Sequence, residues 1–289
     1  MMSRVELKAL LQETLDWHAA SVLLIKPERP DTSLPGEPMC HTDIPPDQAT
    51  PALAGHDVEI ALSTGEAMPA LHVSAAESAP AVLVIGDVFG RSAFYEHLGA
   101  MLAQAGFQAV VPDFFFRQGA LPGPPSKEAA FGRRAQLDET RTLVDLRAAI
   151  AWLRERSGRS LIGTVGFCMG GTFVLDLAAT EDDLVSVAYY GFPVPQPTIV
   201  SPPPRPIDLV EELKGPVLAF WGDQDETVGV EHARDYIHRA GNHPGFESEL
   251  LAGLGHGFLG SAPLGDPSDP RAATWDRAVG FLRTHLEEQ

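Results

Sequence analysis

Five nearly unbroken apolar runs, "AVLVIG", "FQAVVP", "LIGTVGF", "LVSVAYYG" and "PVLAFWG", recur between residues 81 and 222. They are rich in β-branched and aromatic residues, which marks them as strands, and all fall far below the roughly 20 residues a membrane helix needs. Helix patterns near 92–105, 138–156, 170–180 and 230–240 separate them, and another follows near 271–287. Leu143, Leu146, Ile150 and Leu153 share one face of the second helix; Trp275, Val279, Leu282 and Leu286 share a face of the last. Upstream, "DVEIALS" and "MPALHV" suit an antiparallel pair, and "FESELL" supplies a final strand. Strands alternating with helices require right-handed crossovers and a sheet covered on both faces. The expected fold class is therefore α/β, a mostly parallel, doubly wound sheet of about eight strands flanked by helices.

The first 56 residues have a different character. Ser3 with Glu6 fits a capping box, and Leu7, Leu11 and Leu15 recur at helical spacing, so a short amphipathic helix is expected there. The stretch "KPERPDTSLPGEPMCHTDIPPDQATP" carries too many prolines for regular structure. Residues 1–56 thus read as an extension and 57–289 as the main domain. The opening residues lack an unbroken apolar core, which argues against a secretory signal and for a cytoplasmic protein. A formal net charge of -18 repels nucleic acid and anionic membranes. Cys40 and Cys168 form no disulfide framework, and without CxxC or other dense ligand spacing no metal is expected.

Residues that touch ligands in such a sheet lie in loops beyond the carboxyl ends of the strands. That rule selects Asp87-Val88-Phe89-Gly90, Cys168, Asp223-Gln224-Asp225 and His256. Gly166-Phe167-Cys168-Met169-Gly170 has the form G-x-nucleophile-x-G, in which a sharp strand-to-helix turn leaves no room for neighbouring Cβ atoms. A thiol so placed sits at a helix N-terminus, whose dipole favours thiolate. The competing reading is a buried structural cysteine ahead of a glycine-softened helix. Along the chain Cys168, Asp225 and His256 follow the order nucleophile, acid, base expected of this fold. Asp223 is the rival acid; Asp225 is preferred because it lies deeper in the loop, towards the histidine, leaving Asp223 to cap a turn. Backbone N–H groups of Met169 and of the first loop, at Val88 with Phe89 beside it, are placed to form an oxyanion hole.

The stretches "VIGDVFG", "AVVPDFFFRQG", "VGFCMGG", "YYGFP", "GDQDETV" and "GHGF" resemble the dienelactone hydrolase family, α/β-hydrolases with a cysteine nucleophile. The resemblance covers residues 57–289. It implies Cys168, Asp225 and His256 as a triad, and Asp87 as the acidic residue beside the thiol, where glutamate is usual. It also leads one to expect an arginine soon after the histidine, but Gly260 stands there. Arg91, Arg117, Arg133 and Arg134 are substitutes in principle, each more simply read as a solvated surface charge. Residues 192–206, stiffened by proline, are expected to wall the pocket mouth.

The implied activity is hydrolysis of a small-molecule lactone or activated ester through a thioester on Cys168, with no redox or organic cofactor. Acyl transfer, cyclisation or isomerisation on the same scaffold, and a non-catalytic binding protein, stay open as alternatives. A homodimer is compatible with the sequence.

Overall fold

The computed structural model describes residues 43–44, 53–121, 123–195 and 202–287, all within one compact unit, Pro38–Gln289. The expected N-terminal helix, most of the proline-rich arm and Cys40 lie outside the described residues. A single sheet has the order β1-β2-β4-β3-β5-β6-β7-β8. Its strands are β1 His56–Ala61, β2 Ala67–Ser74, β3 Ala81–Ile85, β4 Gln108–Pro112, β5 Ile162–Phe167, β6 Leu184–Tyr189, β7 Val217–Gly222 and β8 Phe246–Leu251. β2 pairs antiparallel with both β1 and β4, and every pairing from β4 across to β8 is parallel.

The apolar runs explain this order. All residues of β3, β4, β5, β6 and β7 are buried. Successive side chains of a strand point to opposite faces, so complete burial means that both faces are covered. The covering helices are α1 Ala93–Gln104, α2 Lys127–Arg134, α3 Glu139–Ser157, α4 Met169–Thr180, the short α5 Pro206–Leu209, α6 Val230–Ala240 and α7 Pro270–Glu287. Five of them match the expected patterns to within a residue or two; α2 and α5 are additions. Among the described residues no helix is long and apolar enough to cross a membrane.

A registered aromatic stack crosses the centre of the sheet. Phe167 of β5 lies opposite Tyr189 of β6, which lies opposite Phe220 of β7. Their rings stack with centroids 5.0 Å and 4.8 Å apart. The Tyr189 hydroxyl donates to the Thr274 carbonyl of α7 at 2.8 Å, so its polar end is satisfied inside the core. This stack lies directly before the strand ends that carry the loops of interest.

One buried group is costly. Asp176 of α4 is 2% exposed, and neither carboxylate oxygen has a hydrogen-bond partner among the described residues. Burial first, and then the neighbouring Glu139 carboxyl, push its pKa well above the usual carboxylate range. In the folded chain Asp176 therefore keeps its proton at pH values where the unfolded chain has lost it, and stability falls as pH rises above the unfolded value. Asp176→Asn should stabilise the protein at neutral pH, with a gain that shrinks towards about pH 4, read by urea unfolding across the range. Equal gains at both ends of the range contradict this. Phe220→Ala should cost about 3–5 kcal/mol by removing the end of the stack, checked by the same method.

Candidate active site

The turn from β5 into α4 is built around Cys168. Its φ of 56° and ψ of -116° place a residue with a side chain in a region that L-amino acids avoid. The strain is held by close packing on either side. A Cβ on Gly166 would lie 2.2 Å from the Gly170 carbonyl oxygen, and one on Gly170 would lie 2.2 Å from that of Ile85 and 2.3 Å from that of Gly86. Only bare backbone fits, and the fit brings the turn against the end of β3, where the Asp87–Gly90 loop begins. On the other side the Cys168 N–H donates to the Tyr189 carbonyl at 3.0 Å, fixing the turn to the end of β6. Cys168 is 7% exposed.

The first loop is equally fixed. Asp87 is buried; its Oδ1 accepts from the Phe89 N–H at 2.8 Å, and its carbonyl accepts from Gly90 N–H at 2.8 Å. The carboxylate thus caps its own loop, while α1 has Ser92 as its N-cap. Val88 and Phe89 pack on Ala130 of α2. Met169 is the first residue of α4, so its N–H belongs to the helix start that has no acceptor within the helix.

The loops after β7 and β8 meet at a histidine. His256 Nδ1 lies 2.9 Å from Asp225 Oδ2. Asp225 is 1% exposed, and its Oδ1 accepts from Thr227 and Val228 N–H groups at 3.0 and 2.9 Å, so the carboxylate is fixed before it meets the ring. Asp223 instead takes the Gly253 N–H at 2.7 Å and ties the β7 loop to the turn after β8. The imidazole packs on Tyr190 and Phe192, with centroids 5.1 and 5.6 Å away. Its Nε2 is buried with no hydrogen-bond partner among the described residues. Both the Cys168 turn and the His256 ring therefore border the short segment that leaves β6, at one end of the sheet.

Thr172 was not singled out by the sequence, and it links these parts. Its hydroxyl donates to the Cys168 carbonyl at 3.3 Å and accepts from the Phe192 N–H at 2.9 Å. It thus couples the turn to the segment supporting the histidine. A threonine in the first turn of α4 was the available signal.

The arginines correct the sequence reading. None of the four is a solvated charge. Arg91 pairs with Asp57 and Glu96, both at 2.6 Å; Arg117 pairs with Glu66 at 3.0 Å and with buried Asp145; Arg134 meets Glu139 at 3.4 Å. Arg133 is 9% exposed and donates to the Phe89 carbonyl at 2.7 Å. Gly260 sits in a short 3-10 turn, Phe258–Ser261. Of the 192–206 stretch, residues 196–201 lie outside the described residues. Its ends are joined where the Ile207 N–H donates to the Pro193 carbonyl at 3.0 Å.

Comparison with known proteins bears on the family and the fold. Residues 68–286 match the model of the dienelactone hydrolase family. A carboxymethylenebutenolidase of Rhodococcus opacus is 32% identical over 255 residues, covering 86% of this chain and 98% of the relative. Carboxymethylenebutenolidase 2 of Cupriavidus pinatubonensis is 32% identical over 240 residues, covering 80% and 98%. A crystal structure from Klebsiella pneumoniae, assigned to the dienelactone hydrolases, superposes with a TM-score of 0.71 at 25% identity over 80% of this chain and 98% of that one. The Pyrococcus furiosus esterase Pf2001 shares the fold at 17% identity, with a TM-score of 0.62 over 84% of this chain and 99% of that one. With its family match, its near full-length relatives and its eight-stranded sheet, the chain belongs to the dienelactone hydrolase family and is a hydrolase.

Proposed function

We propose that the protein hydrolyses a lactone or small activated ester through a Cys168 acyl-enzyme. The observation that carries this reading is the His256–Asp225 pair at 2.9 Å, whose outer nitrogen is buried with no hydrogen-bond partner among the described residues, at the same sheet end as the strained cysteine turn. A buried imidazole nitrogen left unpaired is costly, and the cost is sensible where that nitrogen exchanges a proton with a reacting group.

In this reading Asp225 holds the ring so that Nδ1 keeps its proton and Nε2 receives one. A free thiol has a pKa of about 8.5, and the start of α4 favours its ionised form, so sulfur is a competent nucleophile near neutral pH. The thiolate adds to the carbonyl carbon. The resulting oxyanion is held by N–H groups of Val88 and Met169, and its collapse breaks the ester bond, expelling the alkoxide or enolate. Protonated His256 supplies the leaving oxygen with its proton, then takes one from water, which attacks the thioester and releases thiolate and carboxylic acid. Asp87 lies in the first loop with its carboxylate committed to Phe89 N–H, and its part is to shape that loop.

The family's name and the relatives' names point to unsaturated lactones. The resemblance leads one to expect an arginine soon after the histidine to hold a substrate carboxylate, but Gly260 stands there, and Arg91, Arg117 and Arg134 are committed to acidic partners. The substrate proposed here is consequently an ester or lactone that does not depend on a carboxylate at that place.

Cys168→Ala should lower p-nitrophenyl acetate turnover by at least about 10³-fold without moving the thermal transition; undiminished turnover in the folded variant removes the assignment.

A further inference from the structure

Of Arg91, Arg117, Arg133 and Arg134, Arg133 is the one whose hydrogen-bond partners among the described residues are carbonyls rather than carboxylates. It sits in α2, its guanidinium lies 4.1 Å from the Phe115 ring centroid, and its Nη2 donates to the Phe89 carbonyl at 2.7 Å. The same Nη2 is 3.4 Å from the Val88 carbonyl, and Nη1 is 3.4 Å from that of Gly119. Among the described residues its Nε has no partner. Asp113 and Asp87 attract it electrostatically. A buried guanidinium spent on carbonyls is an expensive way to hold a loop that Ala130 already packs against, which asks what else the charge does.

The peptide bonds supply the answer. The Phe89 carbonyl that Arg133 grips belongs to the same peptide unit as the Gly90 N–H. That N–H donates to the Asp87 carbonyl at 2.8 Å. The Asp87 carbonyl in turn shares its peptide unit with the Val88 N–H. Hydrogen bonds in series polarise one another, so a positive charge at the first carbonyl strengthens the last donor. The first unit also fixes the direction in which that donor points.

We propose that Arg133 is a positioning residue for the oxyanion hole, orienting and polarising the Val88 N–H through the Phe89–Gly90 and Asp87–Val88 peptide units. This rests on the reading of Val88 as an oxyanion donor in a cysteine hydrolase. Arg133 helps only when negative charge develops on the substrate oxygen, so its effect belongs in kcat. Alkylation of Cys168 by iodoacetamide is a displacement that forms no oxyanion, so it is the control.

The test uses the full chain with p-nitrophenyl acetate and compares wild type, Arg133→Met and Arg133→Lys. Arg133→Met should lower kcat by about 10- to 100-fold, somewhat less than outright loss of an oxyanion donor, with KM held within about threefold. Arg133→Lys keeps the charge without the fork and should recover part of the loss. The rate of Cys168 alkylation should stay within about twofold of wild type in both. Unchanged kcat in the folded Met variant, a loss carried by KM, or a parallel fall in alkylation overturns the proposal. If Arg133→Met does not fold, Arg133→Lys decides by the same readouts: lowered kcat with alkylation retained supports the proposal, and any other result overturns it. Wild-type protein that leaves the ester intact, or Cys168→Ala that still turns it over, removes the underlying hydrolase reading instead. Normal wild-type turnover that needs Cys168 but ignores Arg133 removes only the inference.

Discussion

The approach of the Gly170 backbone to the carbonyls of Ile85 and Gly86 is the constraint on which the rest of the site depends. It forces β5 to turn sharply into α4 and leaves Cys168 in a strained conformation with φ at 56°. It also sets the turn against the end of β3, so that the first loop and the start of α4 face a common space. The hydrogen bond from Cys168 N–H to the Tyr189 carbonyl completes the frame. Strain of this kind costs about 1–3 kcal/mol and persists only where the surroundings over-determine it. Here the fully buried parallel strands β3 to β7 and their aromatic stack supply that determination.

On this frame the polar groups are held in advance of any substrate. Asp225 accepts two backbone N–H groups before it meets His256, and Asp87 accepts one from its own loop. Thr172 joins the cysteine turn to the Phe192 segment that packs on the imidazole. Such preorganisation lets a site stabilise developing charge without rearranging at the moment of reaction. The arginines extend this pattern outward: Arg117 ties the β1–β2 turn to α3 through Glu66 and Asp145, and Arg133 backs the first loop.

Much of this was legible in the sequence because the central strands are continuous apolar runs and the ligand loops follow them directly. All eight strands and five helices lie where their patterns put them. The Asp225–His256 contact follows from chain order and loop position. Helix α2 escaped because it is short and mostly polar, giving no clear apolar face. Its local signals were nonetheless present: the Ser126 hydroxyl accepts from Ala129 N–H at 3.2 Å, Glu128 opens the first turn and Arg133 and Arg134 close the last. The arginines were misread for a different reason. Some partners, Asp57 for Arg91 and Glu66 for Arg117, are distant in sequence, and the nearby ones, Glu96 for Arg91 and Glu139 for Arg134, do not stand out in a chain with surplus acid.

The central claim is that the sulfur of Cys168 carries the acyl group. With p-nitrophenyl acetate the leaving group departs easily, so under the proposed mechanism thioester hydrolysis should limit turnover and the acylated protein should accumulate. Acid quenching during turnover, followed by peptide mass spectrometry, should place an acetyl group on the peptide containing Cys168, removable by hydroxylamine. Acetyl on a different residue, or steady turnover with Cys168 always unmodified, contradicts the claim.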